Sequence, residues 1–279
     1  MEATQFESLR LAYWGTFALF IGSLLIGLWN RRGNPTDEQD ELQAKVGALD
    51  AAFICGLAFL CGLTYVFVMD RAGATDDQLP VFTTAQVVGS ALVQLQFAVL
   101  LVLYLQLVRG FAPGAFLGLR ARSFGAVLAW AGGGLFVTVL LMYGMMMAWW
   151  HGVLGTAPPE DSDQVIVQVF QQSKDGGLRL AIILSAAIVA PLTEELTYRG
   201  LIYGFAQRLT GHWPAAILSS ALFSLVHVDA VASLPLFVLA VGLATAYHRS
   251  RCLWVPILMH MLFNSWNLAA MLLDIAPAP

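Results

Sequence analysis

Long apolar runs recur along the chain, separated by short polar segments. A membrane helix needs about 20 apolar residues to cross roughly 30 Å of hydrocarbon. By that measure the pattern predicts eight spans, near 11–29, 47–69, 85–108, 124–150, 178–209, 213–228, 231–247 and 254–273. Pro35, Pro80, Pro113, Pro158 and Pro159 fall between spans, where they interrupt no helix. No segment outside the spans is long enough for a soluble domain, and no internal repeat is present. The expectation is an all-α polytopic membrane protein, about eight transmembrane helices forming one integral-membrane domain. It divides into a four-span half over 1–177 and a second over 178–279. The first span lacks a basic leader and a small-residue cleavage site, so it is expected to be retained. Thr36 and Gln39 have capping-box spacing beside Asp37, Glu38, Asp40 and Glu41, which reads as a short solvated helix leading into span 2. In the long loop over 151–177, the stretch 165–172 reads as a short interfacial helix, with the loop itself solvated.

Composition agrees with that picture. Hydrophobic residues make up 58% of the 279 positions and charged residues 11%. A soluble domain carries about a quarter charged residues, and one this apolar would expose aggregating patches. The net charge of −4 gives no basic surface for nucleic acid. Cys55, Cys61 and Cys252 are an odd set without short spacing, which argues against disulfides and zinc ribbons. Cys55 and Cys61 do not share a helix face and read as lipid-facing or packing residues. Basic residues set the orientation. Arg31, Arg32, Lys45, Arg109, Arg120, Arg122, Arg199, Arg208, Arg249 and Arg251 follow spans 1, 3, 5 and 7, whereas Arg10, Arg71, Lys174 and Arg179 lie on the other side. Both termini are therefore expected outside and the odd-numbered loops in the cytoplasm.

Ionisable residues inside spans are costly and mark function by default. The middles of spans 1 to 4 carry essentially none. The last hundred residues carry three groups: Glu194, Glu195 and Arg199; Phe223 with His227; and His260 with Asn264. Pro191, inside an apolar run, should kink its span. Glu195 and Arg199 are four apart and can pair on one helix face, a pair whose ordinary role is to fix packing. Glu194 lies about 100° away and faces elsewhere. An unpaired acid in a low-dielectric site suits a general base. His227, near a helix end, could be an ordinary interfacial histidine. His260 and Asn264 share a face, and an Asn in a span often bonds a neighbouring helix. Spans 5 and 6 form a hairpin turning near Gly211, which puts Glu194 and His227 each about 25 Å from the turn. Spans 7 and 8 turn near Ser250, with His260 about 15 Å in. A modest offset or tilt brings the three to one depth.

These three groups resemble the CAAX protease and bacteriocin-processing family of intramembrane proteases, which includes the type II CAAX prenyl endopeptidases. The family pattern is EExxxR, FxxxH and HxxxN. The chain has Glu194-Glu195-Leu-Thr-Tyr-Arg199, Phe223-Ser-Leu-Val-His227 and His260-Met-Leu-Phe-Asn264, complete and in order. The flanking Pro191 and Gly200 match as well. The likeness covers about 178–273, roughly a third of the chain, and makes 178–279 the catalytic half. It implies an eight-helix protein with a water-containing cavity inside the bilayer. It also implies that Glu194 is the general base with help from His227, and that His260 and Asn264 bind the developing oxyanion. Glu195 and Arg199 would support the site and Phe223 would shape the pocket. That division agrees with what amide hydrolysis needs. Ser224 lies off the face of His227 and is rejected as a nucleophile.

Two histidines and a glutamate also match the ligand set of some catalytic zinc sites. The HExxH spacing is absent, however, and the ligands would come from three helices. The expectation is a metal-free site, with zinc on His227, His260 and Glu194 as the alternative. The expected substrate is a membrane-embedded or lipid-modified peptide, processed by an enzyme of the bacterial cytoplasmic membrane. CAAX-type C-terminal processing is the family's best-known reaction. A proton-coupled transporter and a non-catalytic scaffold or immunity factor are the competing readings.

Overall fold

The computed structural model describes residues 82–119, 123–149, 165–227 and 232–273, together with Asp50, Ile54, Gly56 and His151. The first predicted span, nearly all of the second, and the acidic capping-box segment lie outside the described residues. Among those described there is no strand. Eight helical segments follow one another. Helix α1 covers Thr84–Val108, its last five residues wound as a π-helix. Then come α2 (Pro113–Phe116), α3 (Phe124–Met147), α4 (Val165–Gln172), α5 (Gly176–Thr210), α6 (His212–Leu225), α7 (Ser233–Ser250) and α8 (Trp254–Leu272).

The helix starts have local causes. Thr83 accepts from the Gln86 amide, and the Gln86 side chain accepts from the Thr83 amide at 2.8 Å, a complete capping box. Ser123 and Asp175 cap α3 and α5 through their side-chain oxygens. Gly211, at φ +83°, makes the predicted turn between α5 and α6. Arg251, at φ +53°, ends α7 beside the predicted turn at Ser250. A helix forms at 165–172, with the bounds read from the sequence, and buries Val169 and Phe170 against Leu178 and Ile182.

Helices α1, α3, α5 and α8 are long and apolar enough to cross a membrane, which makes this an integral membrane protein. Helix α6 has 14 residues, shorter than the span read there, and gives way to a turn at Val226 and His227. At 1.5 Å per residue it is about 21 Å long. Helices α6 and α7 form the centre of the described bundle, with α3 lying along α7 and α8, and α1 along α5. Only 17% of the most apolar window of α3 is buried, and its Phe124, Phe136, Leu140 and Leu141 are exposed. Its other face comes so close to α7 that a Cβ on Gly242 would stand 2.3 Å from Thr138 Oγ1. Leu101, Leu117, Tyr203, Ala215, Ala216 and Leu253 fill the interior beyond.

Candidate active site

Helix α5 is not a uniform helix. It winds as an α-helix over Gly176–Leu184, as a π-helix over Ser185–Val189, and as an α-helix over Ala190–Glu195. It is π-helical again over Leu196–Tyr203 before an α-helical end at Gly204–Thr210. Pro191 cannot continue the i to i−4 ladder, and the chain absorbs the mismatch by widening its turns. Around the proline where the sequence predicts a kink, the structure has a change of helical winding. The two glutamates sit on the short α-helical piece between the wide turns.

Glu195 is fully buried, and so is Arg199. The Arg199 Nη1 donates to Glu195 Oε1 at 2.7 Å, the expected i,i+4 pair, and its Nη2 donates to the Ala240 carbonyl of α7 at 3.0 Å. The same Glu195 Oε1 lies 2.9 Å from His260 Nδ1 on α8. The carboxylate oxygen that accepts from the guanidinium accepts again here, with His260 donating from Nδ1. That leaves His260 Nε2 toward Glu194, whose Oε2 is 3.8 Å away. The Glu194 side chain is 27% exposed and has no hydrogen bond from the described residues. One glutamate is thus tied down on two sides while its neighbour is open.

His227 stands in the turn after α6. Its Nδ1 lies 2.7 Å from the Phe223 carbonyl, and a carbonyl only accepts, so this ring too carries its proton on Nδ1 and presents Nε2. The bond also caps the end of α6. Phe223 is fully buried at the centre of the group. Its ring meets His227 at 4.7 Å, His260 at 5.7 Å and Tyr198 at 5.1 Å between centroids, with the Arg199 guanidinium 5.0 Å above it. Phe223 therefore sets the spacing of both histidines. On α8, Asn264 Nδ2 donates to the Ala186 carbonyl in the first π-helical stretch of α5 at 2.8 Å. Ser224 donates to the Ser233 carbonyl at 2.6 Å, a structural bond that agrees with its rejection as a nucleophile.

Six of the seven residues singled out in the sequence are joined by these contacts, while Asn264, four residues beyond His260 on α8, is bonded to Ala186. The link the sequence did not reveal is the one from Glu195 to His260, which joins the packing pair to the chemistry. Thr193 and Gln94 were missed as well: the buried Thr193 hydroxyl, next to Glu194, lies 3.1 Å from Gln94 Oε1 of α1. A polar Gln94 within an apolar span was the available signal. Zinc would draw its nitrogen and oxygen ligands to about 2.0–2.2 Å. Among the described residues no three His, Cys, Asp or Glu side chains are grouped at such distances.

Residues 176–266 match the sequence profile of the family described as "Type II CAAX prenyl endopeptidase Rce1-like". The chain is also 31% identical over 144 residues to the "Putative membrane peptidase YdiL" of Bacillus subtilis (strain 168). That similarity covers 52% of this chain and 56% of the relative, so the chain spans about half the length of the protein it matches. No solved structure matches.

Proposed function

We propose, from the Rce1-like match over residues 176–266 and the likeness to a membrane peptidase, that the chain is a member of the CAAX protease and bacteriocin-processing family and acts as an intramembrane endopeptidase. The observation that carries the reading is the contrast between the two neighbouring glutamates. Glu195 is held by Arg199 and His260, while Glu194 is open beside a ring nitrogen.

In this reading Glu194 removes a proton from a water, with His227 Nε2 helping to hold it. The water oxygen attacks the carbonyl carbon of the scissile peptide, and negative charge collects on the carbonyl oxygen. Asn264 has a second amide N–H beyond the one given to Ala186, and that hydrogen meets the oxyanion. His260, bonded to Glu195 through Nδ1, adds a donor from Nε2 only as an imidazolium. Collapse of the tetrahedral intermediate breaks the C–N bond, and Glu194 returns its proton to the leaving amine. Arg199 and Phe223 hold the frame. No metal takes part in this scheme. The substrate is a membrane-embedded or lipid-modified peptide, with CAAX-type C-terminal processing as the specific form. The proposed setting is the bacterial cytoplasmic membrane; the odd-numbered loops are placed inside by the remaining basic residues, since Arg199, counted among them from the sequence, is buried within α5.

Purified protein in liposomes containing a membrane-embedded peptide tests this reading. Cleavage by the native chain and none by Glu194→Ala is the expected result. An intact peptide together with proton flux across the liposome would point instead to a transporter.

A further inference from the structure

The prolines of the described residues fall into two groups. Pro113 opens α2, and Pro214, Pro235 and Pro256 each occupy the third position of α6, α7 and α8. In a first turn a backbone N–H has no partner within the helix, so a proline there loses nothing. Pro191 alone lies deep inside a helix, α5. Its effect can be followed bond by bond. Just before it the ladder has shifted by one residue, and the Ala190 N–H donates to the Ser185 carbonyl, five residues back. In that register the next donor, from position 191, would reach the Ala186 carbonyl. Proline has no N–H. The Ala186 carbonyl therefore receives neither the donor four residues on, which is committed to Ser185, nor the donor five residues on. What reaches it is Asn264 Nδ2, from α8, at 2.8 Å.

A bare carbonyl inside a membrane is costly, and a proline in a spanning helix is tolerated where a neighbour satisfies the group it frees. Here the neighbour is a residue placed in the reaction. We propose that Pro191 is a positioning residue for Asn264. By withholding an N–H it reserves the Ala186 carbonyl as an anchor for one hydrogen of the Asn264 amide. Because a carboxamide is planar, fixing one N–H fixes the direction of the other, the one offered to the oxyanion. This inference rests on the reading of Asn264 as an oxyanion donor.

Pro191→Ala tests it, because alanine is a good helix former and returns an N–H that competes for Ala186. The expected result is a folded protein whose kcat falls about 10- to 100-fold with KM little changed. That falls short of the roughly 10²–10³-fold loss expected when an oxyanion donor is removed, as in Asn264→Ala. In the Pro191→Ala background, Asn264→Ala should cost much less than it does alone. It should also lower Tm less there, since Ala186 then has a main-chain partner. A chain with an ester-linked hydroxy acid at position 191 has no N–H and no ring, and it should keep the native kcat. Full activity in Pro191→Ala, strictly additive effects with Asn264→Ala, or a folded but slow ester variant would each overturn the positioning role. Native activity in Asn264→Ala would instead remove the oxyanion reading beneath it, so the two failures are distinguishable.

Discussion

Helices α3 and α5 are both long and apolar enough to cross the bilayer, with mean hydropathies of 2.0 and 1.8 over their most apolar windows, yet they are built differently. Helix α3 is regular from Phe124 to Met147, so its backbone groups are satisfied within the segment, as a membrane demands. Its sequence needs only small residues where it meets α7 and large apolar ones toward lipid. Helix α5 departs from that rule twice, through Pro191 and two π-helical stretches. The groups it exposes are met by side chains from other helices: Ala186 by Asn264, and the Glu195 carboxylate by His260. Regular winding makes α3 self-sufficient and therefore inert. Irregular winding makes α5 depend on its neighbours, and the dependence assembles the site.

If that contrast is right, disturbing the two helices should have different consequences. The largest effect on folding should come from the ion pair of α5. Arg199→Ala or Glu195→Ala alone leaves a charge without its main partner in a buried place, a loss of about 3–5 kcal/mol. Removing both should cost less than the sum by about 0.5–3 kcal/mol, the coupling expected of residues in contact. A double-mutant cycle on thermal or denaturant unfolding measures it, and simple additivity would mean that the pair contributes no coupling. A smaller effect is expected where α3 meets α7. Gly242→Ala would drive a Cβ into Thr138, whose own Oγ1 is held by the Gly134 carbonyl at 2.7 Å. Overpacking of this kind costs about 1–3 kcal/mol. The variant should unfold earlier yet turn over substrate at the native kcat, and Thr138→Ala in the same chain should recover part of the stability. A fall in kcat in the folded Gly242 variant would show that α3 is not the passive partner described above.

Much of this arrangement could be read from residue spacing, because helical geometry governs it. Glu195 and Arg199 pair since four residues return to one face, and the hairpin closes at Gly211, where a positive φ is required. What escaped the sequence depends on rotation and on the main chain. Glu194 and Glu195 stand about 100° apart in an ideal helix, so the spacing predicts that Glu194 faces elsewhere, yet both approach His260 of α8, one at each ring nitrogen. The π-helical turns reset that rotation, and periodicity does not count them. Asn264 has a backbone carbonyl as its partner, which no side-chain pattern marks. Gln94 and Thr193 are 99 residues apart, so only tertiary packing brings them together. The first predicted span and nearly all of the second fall outside the described residues.

The central claim is that the open carboxylate of α5 activates water without a metal. The most direct test measures peptide hydrolysis by purified native protein and by Glu194→Gln, with zinc content determined on the same samples before and after exhaustive chelation. The account predicts a loss of about 10²–10⁴-fold in the folded Gln variant, the usual contribution of a general base. It also predicts native protein with well under one zinc per chain and activity that survives chelation. Native rates in Glu194→Gln would contradict the role of that residue. Stoichiometric zinc, with activity that leaves and returns with it, would contradict the metal-free chemistry and make His227 and His260 ligands.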